Sequence, residues 1–318
     1  MPILKIGRHI TAENNKYEEL IDLVIKKKLN SIQTFIGGIN TLENKKIEKE
    51  LSHDEIKKIR EKIDKNKINL VVHANYLPKL TRNVDNKYKR VLYSIVDEMI
   101  SCEKIGGKFV VVHTGVLKSK GHEKLSEKEA TENIIKSAKW IIKKYNENSK
   151  ELSEKLKENS KENSKVKLLL ETCSGQGTEF PSNIEILCEI LLKIDDNSNN
   201  IGLCIDTCHI FAAGYKITQK EDVINLFEEL NKKLKNKLYD YLKVIHLNDS
   251  VEDLGKKRDH HTNIGCGYIY NEQLDGLKYL IEMCKKNNII VILETPVKGH
   301  EYKEINFIKD TNKKIDWC

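Results

Sequence analysis

Eight short runs rich in Val, Ile and Leu recur along the chain, at 4–6, 31–36, 69–73, 108–113, 167–171, 201–206, 242–246 and 289–294. This recurrence constrains the fold more than any other feature. Each run is brief, apolar and without the polar alternation of a half-exposed strand, as expected of strands buried on both faces. Between the runs lie segments with helical spacing. Tyr17, Leu20, Ile21, Val24 and Ile25 form one stripe, Ile56, Ile59 and Ile63 another, and Val91, Leu92, Ile95, Val96, Met99 and Ile100 a third. Further stripes follow at 134–142, 184–192, 223–234 and 274–284. Alternation of this kind predicts parallel strands joined by right-handed helical crossovers. Eight units predict one closed (β/α)8 barrel, with an open doubly wound sheet as the alternative.

The length of 318 residues suits one such barrel as a single domain over 1–318. One stretch falls outside the pattern: residues 146–165 repeat Lys-Glu-Asn-Ser. They read as a solvated, flexible or loosely helical insertion between the fourth helix and the fifth strand. That junction lies on the barrel face opposite an active site, so the insertion is expected to be dispensable for chemistry.

The ends of the runs carry the chemistry. The third ends in His73, the fourth in His113 and the fifth in Glu171. The sixth delivers Asp206 and then His209, the seventh His246, and the eighth Glu294. The loop after His246 adds Asp259, His260 and His261. One such histidine signifies little, because most are hydrogen-bonded core residues. Six consecutive strands ending this way are another matter, because strand ends converge on one barrel face. Buried carboxylates are costly unless paired, and imidazoles around divalent cations remove that cost. Histidine and carboxylate donors without thiolate suit Zn²⁺, with Mn²⁺ or Fe²⁺ as alternatives at one site. The donors outnumber what one tetrahedral ion can use, which points to two or three ions sharing carboxylates. Ions roughly 3.5–4 Å apart suit phosphoester hydrolysis. The net charge of +7 fits a polyanionic partner, though solvated lysine-rich helix faces would give the same figure. The chain contains no P-loop, dinucleotide fingerprint or nucleophile elbow.

The eight cysteines form no CxxC pair and read as reduced core or loop thiols. Cys204 lies inside an apolar run and is not expected to be a ligand. The N-terminus enters a strand-like run directly, and no apolar stretch approaches a membrane span. A soluble intracellular monomer is expected, without a signal peptide, in cytoplasm, nucleus or a virion.

The segments Leu-Glu-Thr-Cys-Ser-Gly-Gln-Gly (170–177), Cys-Ile-Asp-Thr-Cys-His-Ile-Phe-Ala-Ala-Gly-Tyr (204–215), His-Leu-Asn-Asp-Ser (246–250), Asp-His-His-Thr-Asn-Ile-Gly (259–265) and Leu-Glu-Thr-Pro (293–296) together resemble the endonuclease IV family of apurinic/apyrimidinic endonucleases. The resemblance runs nearly end to end. It implies a TIM barrel with three Zn²⁺ that cuts duplex DNA 5′ to an abasic site, leaving a 3′-hydroxyl and a 5′-deoxyribose phosphate, and that also processes 3′ ends. It further implies that His73, His113 and Glu171 hold one ion, that Glu171, Asp206, His246 and Glu294 hold a second, and that His209, Asp259 and His261 hold the third. Spacing within the family motif selects His261 over His260. Glu171 would bridge, and Glu294 would orient or deprotonate the attacking water. Gln33, Tyr76 and Leu77 would contact DNA. The chain departs from the family at 11–15, where a Gly-Gly pair is usual, at 36–40, which lacks the usual basic residue, and at Thr114, where Pro is usual. Two other readings remain: a sugar isomerase or epimerase with one or two ions, and a metal-stabilised DNA-binding protein without turnover.

Overall fold

The computed structural model describes residues 2–12, 16–38, 41–42, 46–156, 165–194, 200–271, 274–296, 299–311 and 315–318. Residues 13–15 and 39–40 of the two departing loops lie outside the described residues, as do 157–164 of the repeat segment.

Eight parallel strands close into a barrel. They are β1 (Lys5–His9), β2 (Ser31–Phe35), β3 (Asn69–His73), β4 (Phe109–Val112), β5 (Lys167–Glu171), β6 (Ile201–Asp206), β7 (Leu242–His246) and β10 (Ile290–Leu293). A two-stranded antiparallel ribbon, β8 (Asp249–Ser250) with β9 (His261–Thr262), follows β7 in the chain. The barrel order is β1-β10-β7-β6-β5-β4-β3-β2, so each strand pairs with its successor among the barrel strands and β10 closes onto β1. The expected strand positions hold to within a residue or two, except at β1. That strand runs on to His9 because Gly7 and Arg8 pair in register with Ile292 and Leu293. Arg8 is buried there and donates to the Thr295 carbonyl at 3.0 Å.

By internal packing the chain forms two compact units. In the unit comprising Ile10–Leu170 and Lys193–Gly202, β2, β3 and β4 pair in register, and Val112 lies opposite Leu170. The stripes of α1 (Tyr17–Lys26), α2 (His53–Asn66) and α3 (Tyr88–Lys104) are largely buried, including Leu20, Ile59 and Ile95, while Ile25 at the end of α1 is exposed. Ser52 and Glu55 close a capping box at the start of α2. Helix α4 (Glu127–Leu156) extends to 156, so the first part of the repeat segment is a direct continuation of this helix.

In the unit comprising Met1–His9, Glu171–Leu192 and Leu203–Cys318, β6, β7, β10 and β1 pair in turn. It contains α5 (Ile184–Ile194) up to Leu192, α6 (Thr207–Ala213), α7 (Lys220–Lys233), α8 (Leu238–Tyr241), α9 (Asp275–Lys286) and α10 (Glu301–Lys309). Here one expectation is corrected. Cys266 and Cys318 form a disulfide, so not every cysteine is a free thiol. Their separation of 52 residues gives no local pattern from which to read the pairing. The other six are buried thiols. Among the described residues no helix is long and apolar enough to cross a membrane.

Candidate metal centre

The centre is built from the carboxyl ends of the strands, where the last strand residue points a polar head out of an apolar run. Asp206 ends β6 and also caps α6: its Oδ1 accepts the backbone N–H of His209 at 3.0 Å. The cap fixes His209 one turn into the helix. His209 Nδ1 lies 2.8 Å from the Thr172 carbonyl, so Nδ1 carries the proton and donates. That leaves Nε2 facing Asp259 Oδ2 at 3.1 Å. His261, from β9, brings its Nε2 to 2.9 Å from the other Asp259 oxygen. These three residues offer ligand atoms within 4.8 Å of one another.

A second group takes Glu171 from β5, Asp206 from β6, His246 from β7 and Glu294 just past β10. His246 Nδ1 is 2.9 Å from Glu171 Oε1, 3.2 Å from Glu294 Oε2 and 3.9 Å from Asp206 Oδ2. A third group joins His73, at the end of β3, with His113, directly after β4, and Glu171, the last residue of β5. The two imidazole centroids are 5.2 Å apart. His73 Nδ1 donates to the Ala74 carbonyl at 2.8 Å, leaving Nε2 as the donor atom for a cation.

So dense a set of charges shifts its members. Burial acts against charge on His209, but Asp206 and Asp259 raise it well above its ordinary value. Burial likewise acts against charge on His246, and the carboxylates of Glu294 and Glu171 raise it. His261 is raised to about 9, with Asp206 and Asp259 outweighing burial. Burial favours the neutral Asp259 carboxyl, yet His209 and His261 hold it well below the usual range. The thiols behave oppositely. Burial pushes Cys204 and Cys208 up to about 12. Although both lie near enough to ligand atoms to be counted with them, they are neutral hydrogen-bonding neighbours rather than thiolates.

Every candidate ligand read from the sequence thus falls into one of three groups, while His260 does not. His260 is exposed and faces Glu252 at 3.2 Å. Tyr76 and Leu77 are exposed by 40% and 42%. The Tyr76 ring packs 5.2 Å from His73 and 5.3 Å from His113, and the Leu77 N–H donates to Asn75. Gln33 lies within β2 and is wholly buried.

Several residues of the centre escaped the sequence reading. His9 ends β1 with Nδ1 3.8 Å from Glu294 Oε1. The rule that found the other histidines would have found it had the first strand not been ended at Ile6. Asn248 is fully buried and bridges two strands: its Nδ2 donates to Asp206 Oδ2 at 2.7 Å and its Oδ1 accepts the Glu294 N–H at 2.9 Å. The orientation of its amide is unambiguous, because the Glu294 N–H can only donate. Thr207 Oγ1 holds the Asn248 backbone at both N–H and carbonyl. Thr172 Oγ1 accepts from the Asp206 N–H at 2.9 Å. Asp249 and Glu304 shape the loop after β9. Asp249 accepts backbone N–H groups from Gly265, Gly267 and Ile269, and Glu304 accepts from Ile264 and Asn263. Gly267 is needed here: a Cβ on it would lie 2.3 Å from the Ser250 carbonyl.

A closed (β/α)8 barrel with histidine and carboxylate groups at the carboxyl ends of its strands defines a class, and the family model of the xylose isomerase-like TIM barrel matches residues 35–298. Within that class, the chain is 32% identical to a probable endonuclease 4 of Sulfurihydrogenibium sp. over 98% of this chain and 100% of that protein. It is also 32% identical to a probable endonuclease 4 of Mesomycoplasma hyopneumoniae, over 92% of this chain and 93% of the other. The crystal structure of endonuclease IV from Thermus thermophilus shares the fold, with a TM-score of 0.71 at 23% identity over 96% of this chain and 97% of the other. The chain belongs to the endonuclease IV family.

Proposed function

We propose that this protein is a zinc-dependent endonuclease that hydrolyses the phosphodiester 5′ to an abasic site in duplex DNA, leaving a 3′-hydroxyl and a 5′-deoxyribose phosphate, and that also trims blocked 3′ ends. The observation that carries the reading is the grouping of nine ligand-type residues into three sets, with Glu171 common to two. The donor chemistry fits zinc: His209 and His73 each donate Nδ1–H to a main-chain carbonyl, which turns Nε2 outward as a lone pair. His73, His113 and Glu171 would hold one ion, Glu171, Asp206, His246 and Glu294 a second, and His209, Asp259 and His261 a third. Bound there, zinc supplies Lewis acidity toward a phosphate and a nucleophilic water at neutral pH.

The chain's own groups do the rest. Glu171 draws two ligand sets together at one point. Glu294, 17% exposed at its side chain, is reachable by solvent and orients or deprotonates the attacking water. Asn248 fixes Asp206 relative to Glu294. Tyr76, packed against His73 and His113, and the exposed Leu77 beside it meet the duplex at the lesion. The protein works as one domain over 1–318, and the 146–165 segment takes no part in the chemistry. Mn²⁺ or Fe²⁺ can replace zinc at one position.

Metal analysis tests the reading. About three zinc ions per chain are expected. A single ion per chain would favour a sugar isomerase or epimerase, which has no use for the His209, Asp259 and His261 set.

A further inference from the structure

The loop between β4 and α4 is built as a cationic surface. Residues 118–124 read Lys-Ser-Lys-Gly-His-Glu-Lys, with three lysines against one acid. Lys118, Lys120, His122 and Lys124 are all exposed. Other lysines of the same unit pair with acids, as Lys62 does with Glu18 and Asp22 and Lys57 with Glu61. Arg82 joins the loop from the segment after β3, with Nη2 2.7 Å from His122 Nε2 and its guanidinium 6.0 Å from the Tyr88 ring centroid. The loop is also firmly seated. Thr81 Oγ1 donates to the Val116 carbonyl at 2.8 Å, and Leu125 N–H to Leu117 at 2.9 Å, closing its base. Gly115, at φ +125°, allows this contact: a Cβ would lie 2.7 Å from Thr81 Oγ1. The loop begins shortly beyond His113, whose ring lies 5.3 Å from that of Tyr76.

We propose that Lys118, Lys120 and Lys124, with Arg82, form a phosphate-gripping surface that holds the DNA backbone beside the Tyr76–Leu77 turn. The proposal rests on the DNA-endonuclease reading and adds to it where the grip is applied. The β4–α4 loop supplies these cations at the end of the barrel where His73 ends β3 and His113 follows β4. The occupant follows from charge complementarity: an anchored, exposed loop carrying three lysines suits the negatively charged phosphate backbone.

The test is equilibrium binding of an undamaged duplex by fluorescence anisotropy at several salt concentrations. Wild type is compared with a Lys118→Gln, Lys120→Gln, Lys124→Gln variant. A charge-matched control carries Lys26→Gln, Lys58→Gln and Lys65→Gln on α1 and α2. Each phosphate contact contributes about 0.9 to the slope of log affinity against log salt. The loop variant should therefore lose about 2–3 from that slope. Between about 50 and 200 mM salt, wild type would then lose roughly 40-fold more affinity than the variant. Glu123→Lys should steepen the slope by about 1. An unchanged slope in the loop variant, or an equal loss in the control, overturns the proposal. Absence of any DNA affinity in wild type contradicts instead the endonuclease reading beneath it.

Discussion

Stripping the metal from this protein and returning it should release protons, and the number follows from the site. In the stripped protein the carboxylates of Asp206, Asp259, Glu171 and Glu294 are faced by imidazoles, and His209, His246 and His261 are all raised above their ordinary value. With His261 at about 9, its protonated form outnumbers the neutral one by roughly 30 to 1 at pH 7.5. A cation needs the neutral ring, so filling the centre at pH 7.5 should expel up to about three protons per chain. Calorimetric zinc titrations in buffers of different ionisation enthalpy read that number directly. The same groups set a stability profile. Because His261 is higher in the folded state than the unfolded value of about 6.5, its contribution is fully present below pH 6.5 and is lost as pH rises through about 9. A shift of this size corresponds to at most about 3 kcal/mol, shared with His209 and Asp259. The stripped protein should thus be destabilised between pH 6.5 and 9, while the zinc-loaded protein, with neutral rings, should show little of this slope. Binding that releases no protons, or a flat profile for the stripped protein, would refute the assignment of these imidazoles as charge partners of the carboxylates.

Two substitutions probe the ligands and their support. Glu171→Gln should lower kcat for incision by at least about a thousand-fold, or about 4 kcal/mol, while affinity for abasic duplex changes little; retention of most activity would refute the bridging role proposed for Glu171. Asn248→Asp keeps the shape and the acceptor for the Glu294 N–H but sets a second carboxylate against Asp206 Oδ2. It should weaken zinc binding by about 10–100-fold with the fold intact by circular dichroism, and unaltered zinc affinity would show that the amide does no positioning.

The barrel was legible because its strands are buried on both faces and its helices on one, so period and length separate them without ambiguity. The candidate ligands were legible because an ionisable residue ending an apolar run is conspicuous, and because six runs repeat it. What escaped has a physical reason in each case. His9 was hidden by Gly7 and Arg8, whose strand geometry comes from pairing with β10 rather than from their own preference. The two-residue strands of the β8–β9 ribbon are too short for any periodicity. Asn248 carries no charge, and its role is visible only once β6, β7 and β10 are side by side. The Cys266–Cys318 bond depends on tertiary proximity alone.

On the proposed reading, the three ligand groups serve cleavage of a damaged DNA backbone. Incision of a duplex carrying one tetrahydrofuran abasic analogue measures it most directly, with the purified protein assayed as prepared, after chelation, and after zinc is restored. A single cut 5′ to the analogue with an extendable 3′-hydroxyl is expected, lost on chelation and regained with zinc. An intact duplex in the zinc-loaded reaction, or incision indifferent to the chelator, would contradict it.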